Sequence, residues 1–349
     1  MSCYHPKIII ITEEAKLNKN GKIGSLVKFV EDEKAWGGYE NIEKFNAKAE
    51  EQRKKYGLKK TYATMAPCGK CQGCRFKQSK EWAVRIEKEA KQYKHNYFVT
   101  LTYNDENLPI KEGYPESKGT LKKEHTIQFM KSIRQSIKRH YNHDGIKFYL
   151  CGEYGSKGER PHYHIIMMNM PELEKNKLVG QNTKTKDPYF TNDLFDSAWS
   201  KGFVIIGKVN WNTISYVAGY CQKKLFGEVG KKIYEMKGQE PIYATMSRNP
   251  GIGRNYYEEN KETIYRYDEV ITSKGKSVKP PSYFDRLMDI GEEDSIILKE
   301  LKEKRREKSN NALKQKYAQT TLTIKEQLAL EERTAVEKLK KYNRDRIGQ

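Results

Sequence analysis

Two strand-like runs constrain this chain most: Lys147-Phe148-Tyr149-Leu150-Cys151-Gly152-Glu153, and Pro161-His162-Tyr163-His164-Ile165, which continues to Met168. Between them lies a short Gly/Ser/Lys stretch, Gly155 to Arg160, that folds the second run back antiparallel to the first. Strand side chains alternate with period two, so His162 and His164 project together while Tyr163 and Ile165 point the other way, into a core. The hairpin therefore presents two imidazoles on one face, and Glu153 at the end of the first run is the third candidate ligand. Two histidines and one carboxylate with open positions suit a divalent catalytic metal. The alternative is a pair of surface strand histidines that bind nothing.

A second constellation lies downstream. Asn210, Asn212 and Thr213 can each cap a helix, and Tyr216-Val217-Ala218-Gly219-Tyr220-Cys221-Gln222-Lys223-Lys224 follows. At helical spacing Tyr216 and Tyr220 are i and i+4 and share a face, with Lys223 and Lys224 in reach of the same region. Phenols beside a cation, on a separate element from a His/His/Glu set, are what phosphodiester cleavage requires: the hydroxyl attacks phosphorus while the metal polarises the phosphate oxygens. A free tyrosine, with a pKa of about 10, is a poor nucleophile at neutral pH, and a nearby lysine or metal would lower it. With 24 tyrosines in the chain, a stripe packing against a sheet is the alternative.

The combination resembles the HUH endonucleases, in which His-hydrophobic-His supplies metal ligands and a downstream helix supplies one or two catalytic tyrosines. More closely, the chain is similar to the replication initiation proteins of gokushovirus-type Microviridae. Matching stretches are Phe98 to Asn104, Gly152-Glu153-Tyr154-Gly155, Arg160 to His164, Trp199 with Gly202, the Tyr-x-x-x-Tyr helix, and Met246-Ser247-Arg248-Asn249-Pro250-Gly251-Ile252-Gly253, in the family's order from about 65 to 257. Gly219 is a departure, since glycine weakens a helix interior by ~1 kcal/mol relative to alanine. The resemblance implies rolling-circle initiation. One tyrosine would nick an origin strand, leaving a 5′-phosphotyrosine and a 3′-hydroxyl, with Mg²⁺ or Mn²⁺ on Glu153, His162 and His164; the second tyrosine would cut the regenerated origin so that the displaced strand is rejoined. Single-stranded DNA, origin duplex DNA, and a host DNA polymerase and helicase would be the partners, in the cytoplasm of a bacterial host.

Composition agrees with a DNA-handling chain: 66 Lys and Arg against 46 Asp and Glu give +20, an excess that favours the phosphate backbone. Basicity alone fits an RNA-binding or membrane-surface protein equally well. No stretch approaches the roughly 20 apolar residues of a membrane span, and Ile8 to Ile11 is too short for the apolar region of a secretory signal. In a cytoplasmic protein disulfides are disfavoured. Cys68-x-x-Cys71-x-x-Cys74, completed by Cys3 or His5, therefore reads as a structural Zn²⁺ site. An iron–sulfur cluster is the rival, though its usual closely spaced fourth cysteine is missing; reduced free thiols are the third reading.

Along the chain, residues 1–94 read as a Cys-rich, zinc-binding N-terminal region, 95–257 as the endonuclease core, and 258–349 as a basic, mostly helical extension. Ile127, Met130, Ile133 and Ile137 mark an amphipathic helix over Lys122 to Tyr141, and residues 171–191, rich in Lys, Asn, Thr and Asp, read as a mobile loop insertion. The class expected is α+β: a central antiparallel sheet with helices on one face, the ferredoxin-like arrangement that the resemblance also implies. Two alternatives stay open, a zinc-containing nucleic-acid-binding protein without chemistry, and a plasmid initiator, relaxase or transposase of the same chemical class.

Overall fold

The computed structural model describes residues 3–17, 23–155, 158–183, 185–219 and 227–347. The first half comprises β1 (Lys7–Leu17), β2 (Ile23–Phe29), α1 (Asn41–Tyr56), β3 (Thr61–Ala66), α2 (Gln72–Ala90), β4 (His95–Tyr103), α3 (Lys123–Tyr141), β5 (Lys147–Tyr154) and β6 (Pro161–Met170). There follow β7 (Lys177–Gln181), β8 (Pro188–Thr191), α4 (Asp193–Trp199), β9 (Gly202–Lys208), α5 (Trp211–Gly219), α6 (Gly227–Met236) and β10 (Tyr243–Met246). The remainder is α7 (Arg254–Tyr267), β11 (Val270–Ile271), β12 (Ser277–Val278), α8 (Ser282–Met288), α9 (Glu292–Ala318) and α10 (Ile324–Ile347). Residues 78–301 form one compact unit, and residues 1–77 with 302–349 form another.

In the first-named unit a seven-stranded sheet runs in the order β10-β5-β6-β4-β9-β8-β7, and every neighbouring pair is antiparallel. This is the α+β class with a central antiparallel sheet that the sequence predicts. Strand parity divides the side chains between two cores. Val99, Leu101, Tyr163, Ile165, Val204 and Ile206 face α3 and α4, packing on Phe129, Ile133, Ile137, Phe195 and Trp199. The opposite parity sends Tyr149, Cys151, Ile166 and Met168 against Ala83, Ile86 and Ala90 of α2 and Ile214, Val217 and Ala218 of α5. Helices thus cover part of the second face as well as the first, which explains why β6 is apolar without alternation from Ile165 to Met168: it is central and flanked on both sides.

Two local expectations change. Ile127 is not on the buried stripe of α3 but is 66% exposed, because the packed face is centred on Thr126, Phe129, Met130, Ile133 and Ile137. Residues 171–191 are not a plain loop: β7 and β8 pair as a hairpin that extends the sheet past β9, with Asn182 and Asp187 closing its end. The polar composition that suggested a loop belongs to an edge hairpin whose outer strand is exposed throughout.

Two devices fix the strands that matter for the site. Gly202 opens β9 where a side chain is impossible: a Cβ there would lie 2.2 Å from the Thr102 carbonyl oxygen and 2.4 Å from the Asn104 amide. The indole of Trp199 donates to that same Thr102 carbonyl at 3.0 Å, so α4 and β9 lock to the end of β4 together. On the other face the fully buried Glu89 of α2 accepts from Lys147 Nζ at 2.6 Å, from the Tyr93 hydroxyl at 2.9 Å and from the Gly253 amide at 2.6 Å. It ties α2 to the start of β5 and to the turn after β10.

The second unit holds the antiparallel sheet β2-β1-β3. The Asn46 side chain of α1 is bonded to both backbone groups of Ala63 on β3.

Removing one partner of a buried ion pair strands the other, at a cost of about 3–5 kcal/mol. Glu89→Ala is therefore expected to lose stability on that scale in urea unfolding, more than the double variant Glu89→Leu/Lys147→Met; equal losses in the two would contradict the role given to this pair.

Candidate metal and nucleophile site

The β5–β6 hairpin forms as the sequence predicts, with Glu153 directly opposite His162 and Cys151 opposite His164. This register brings Glu153, His162 and His164 together, with one ligand atom from each within 4.8 Å of the others. Glu153 Oε1 lies 2.8 Å from His162 Nε2 and 3.4 Å from His164 Nε2. The Glu153 and His164 side chains are almost fully buried, whereas His162 keeps 17% exposure and opens the group to solvent.

The outer ring nitrogens are held in turn. His162 Nδ1 donates to the Arg160 carbonyl at 3.1 Å, and because a carbonyl only accepts, this nitrogen carries the proton. Its Nε2 lies against the Glu153 carboxylate at 2.8 Å, where the two can share a cation. His164 Nδ1 is 3.0 Å from the Thr100 hydroxyl, which stands opposite it on β4. Such partners fix the tautomer of metal-binding histidines and leave Nε2 to coordinate. Cis ligands of an octahedral ion with bonds of ~2.1 Å sit about 3 Å apart, so the two Nε2–Oε1 separations fit a small divalent cation. Three protein ligands leave positions open for substrate.

Tyr216 joins this group from α5. Asn210 proves to be the cap: its Oδ1 accepts from the Asn212 and Thr213 amides at 2.9 and 3.0 Å, and Thr213 Oγ1 accepts from the Asn210 amide at 2.9 Å. The helix buries Ile214, Val217 and Ala218, which lays Tyr216 edge-on to His164 with ring centroids 5.2 Å apart. The Tyr216 ring is 37% exposed. Tyr220, Lys223 and Lys224, with Cys221, lie outside the described residues. Thr100 is the site residue that sequence reasoning missed; it sits in the Phe98 to Asn104 stretch, but only the pairing of β4 with β6 shows what it faces. In the turn after β10 the Ser247, Gly253 and Arg254 amides are bonded to the Phe148 carbonyl, the Glu89 carboxylate and the Gly251 carbonyl.

The cysteines gather at a separate place. Pairing of Lys7 with Ala66 brings the start of β1 beside the end of β3, and Cys3, Cys68, Cys71 and Cys74 converge with all four sulfurs within 4.8 Å. Cys71 and Cys3 Sγ are 3.8 Å apart, about the edge of a tetrahedron with Zn–S bonds of ~2.3 Å. Amides of Cys68, Cys71 and Tyr4 point at Cys3, Cys68 and Cys71 sulfurs at 3.2, 3.3 and 3.4 Å. Burial pushes the Cys71 thiol up, but donors from Cys74, Tyr4 and Cys68 outweigh it and bring it down to about 6; burial raises Cys3 and Cys74. His5 instead meets Glu332 at 2.7 Å.

Comparison with known proteins gives these groups a family. Residues 96–225, which contain every β4, β5, β6 and α5 residue of the site, match a family model for replication-associated proteins of the ORF2 type. The replication-associated protein ORF2 of Spiroplasma virus 4 is 38% identical over 269 residues, 75% of this chain and 80% of that protein. The replication-associated protein VP4 of Bdellovibrio phage phiMH2K is 28% identical, across 69% of this chain and 73% of that protein, and the corresponding ORF4 protein of Chlamydia phage 1 is 31% identical across 48% and 41%. The chain belongs to the replication-associated proteins of these small phages. No solved structure matches it significantly. Among the described residues no helix is long and apolar enough to cross a membrane.

Proposed function

We propose that this protein starts phage DNA replication by nicking an unpaired origin strand through a tyrosine, at the site built by Glu153, His162, His164 and Tyr216. The observation that carries the reading is the convergence of two imidazole Nε2 atoms and a carboxylate beside a helix-borne phenol, in a chain whose relatives are replication-associated proteins. A divalent ion, Mg²⁺ or Mn²⁺, held by Glu153, His162 and His164 would supply Lewis-acid polarisation of the scissile phosphate. Thr100 and the Arg160 carbonyl orient the two imidazoles for that task. The Tyr216 oxygen attacks phosphorus in line, the bond from phosphorus to the 3′-oxygen breaks, and the phenolic proton is passed on to the departing 3′-hydroxyl. The 5′-phosphotyrosine conserves the bond energy for rejoining, and the 3′-end serves a host polymerase. Tyr220 is the natural second nucleophile from its place four residues on, and Lys223 or Lys224 the cation that stabilises developing phosphorane charge.

The four-thiol cluster we assign to structural Zn²⁺. A set of sulfurs this close suits a single ion, and the surrounding amides favour thiolate ligands. Protein prepared without added metal is expected to contain one zinc per chain by elemental analysis, and Cys68→Ser to lose it together with several kcal/mol of stability, since zinc affinity in such sites is folding free energy. A zinc-free native protein indifferent to that substitution would leave reduced thiols as the reading.

Nicking is tested by incubating the protein with a library of single-stranded DNA and Mn²⁺ or Mg²⁺, separating products on denaturing gels and mapping any DNA–peptide adduct by mass spectrometry. The expected adduct is on Tyr216 or Tyr220 and disappears with EDTA and in His162→Ala. Tight binding without an adduct under either metal would replace the endonuclease by a non-catalytic zinc-containing nucleic-acid-binding protein.

A further inference from the structure

The register that assembles the triad continues onto a strand with no part in it. Glu153 faces His162, His162 faces Thr102, and Thr102 faces Phe203. Carboxylate, imidazole, hydroxyl and phenyl therefore stand in one row across β5, β6, β4 and β9. One row further along, Cys151, His164, Thr100 and Ile205 are aligned in the same way. Strands about 4.8 Å apart put Phe203 roughly 10 Å from His162.

The parity of β9 sends Val204 and Ile206 into the core at 4% and 1% exposure and leaves Phe203 at 66% and Ile205 at 38% on the outer face. A single exposed apolar side chain is ordinary. Here two occupy successive outward positions of one strand, on the face and in the rows of a candidate phosphate-handling site, with the half-exposed Tyr216 ring against His164. Arg160, at the same end of the sheet, donates to the carbonyl of Tyr103, the residue after Thr102, at 2.9 Å and pairs with Asp105. An apolar surface beside a candidate cation-binding triad is complementary to a strand whose phosphates and bases are both accessible. Bases paired inside a duplex cannot lay a face on it, whereas splayed bases stack on aromatic side chains whatever their identity.

We propose that Phe203, supported by Ile205, is a base-stacking platform that seats a nucleotide of an unpaired DNA strand next to the phosphate at the Glu153/His162/His164 site. This rests on the nicking reading for its choice of phosphate, but the stacking contact itself needs no chemistry and is measurable without it. Phe203 is a positioning residue: it sets which phosphodiester reaches the triad by holding a neighbouring base.

The test uses the full chain without added Mg²⁺ or Mn²⁺, so that the thiolate zinc site is left intact and no cutting is expected, and fluorescence anisotropy of a labelled oligothymidylate. Phe203→Ala is expected to weaken binding by roughly 5- to 100-fold, the scale of one lost base–aromatic stack. Phe203→Trp should restore it, and the salt dependence should be unchanged because no phosphate contact is removed. Scanning one abasic position through the probe should find a site where native protein loses the same factor and Phe203→Ala loses nothing further, while duplex binding by the two proteins is equal. Native-like affinity in Phe203→Ala, or abasic penalties that are the same in both proteins, would overturn the proposal. A Phe203-dependent stack in a protein that never forms an adduct would retain the platform and discard the nicking reading. An adduct-forming protein indifferent to Phe203→Ala would do the reverse.

Discussion

The pairing of Glu153 with His162 across the β5–β6 ladder is the constraint on which the rest of this structure turns. Because strand side chains alternate, a slip of one residue in that ladder would exchange the two faces. His162 and His164 would enter the core now filled by Tyr163 and Ile165, and those apolar side chains would stand in the site. The register is protected on both sides of the sheet. Beneath it, Tyr163 and Ile165 pack with α3 and α4; above it, Ile166 and Met168 pack with α2 and α5. Neither core tolerates a shift, and the triad inherits its geometry from them rather than from its own weak attractions.

The same two-sided packing explains how a tyrosine from a distant part of the chain reaches the histidines. The apolar face of α5 is laid on the strand face that the even-numbered residues of β6 share, so Tyr216 is set beside His164 by Ile214, Val217 and Ala218. Glu89, neutralised by Lys147 and bonded to the Gly253 amide, secures α2 on that face. At the far side, Gly202 and Trp199 dock β9 to β4, which carries Phe203 into the row of the triad. The carboxylate and two imidazoles, the Tyr216 phenol and the flanking surface are thus each placed by apolar packing or by a backbone contact outside the group they form.

The sequence made much of this legible, for physical reasons that differ by element. The hairpin was readable because alternation and a short Gly-containing connection are local signals, and Glu153, His162 and His164 sit on it. The cysteine cluster was readable from spacing for Cys68, Cys71 and Cys74, but the choice of Cys3 over His5 depended on β1 pairing with β3, a contact across some sixty residues that no local pattern encodes. Thr100 and Phe203 were opaque for the same reason: each owes its meaning to what lies opposite on another strand. Ile127 misled because several rotations of an amphipathic helix look alike until Thr126 and Phe129 are seen to be buried. The β7–β8 hairpin hid behind the polar composition that an exposed edge strand permits. The four-residue spacing of Tyr216 and Tyr220 and the lysines beyond stays an expectation of the sequence, since of these only Tyr216 is among the described residues.

In the proposed site Glu153, His162 and His164 would hold one divalent ion through two imidazole nitrogens and a carboxylate. The most direct measurement is electron paramagnetic resonance of the protein titrated with Mn²⁺, read for nitrogen couplings to the bound ion. A single tight Mn²⁺ is expected, with ¹⁴N couplings from imidazole that vanish in a His162→Ala/His164→Ala variant whose zinc content is unchanged. Mn²⁺ that stays free, or that binds without nitrogen coupling, would contradict it.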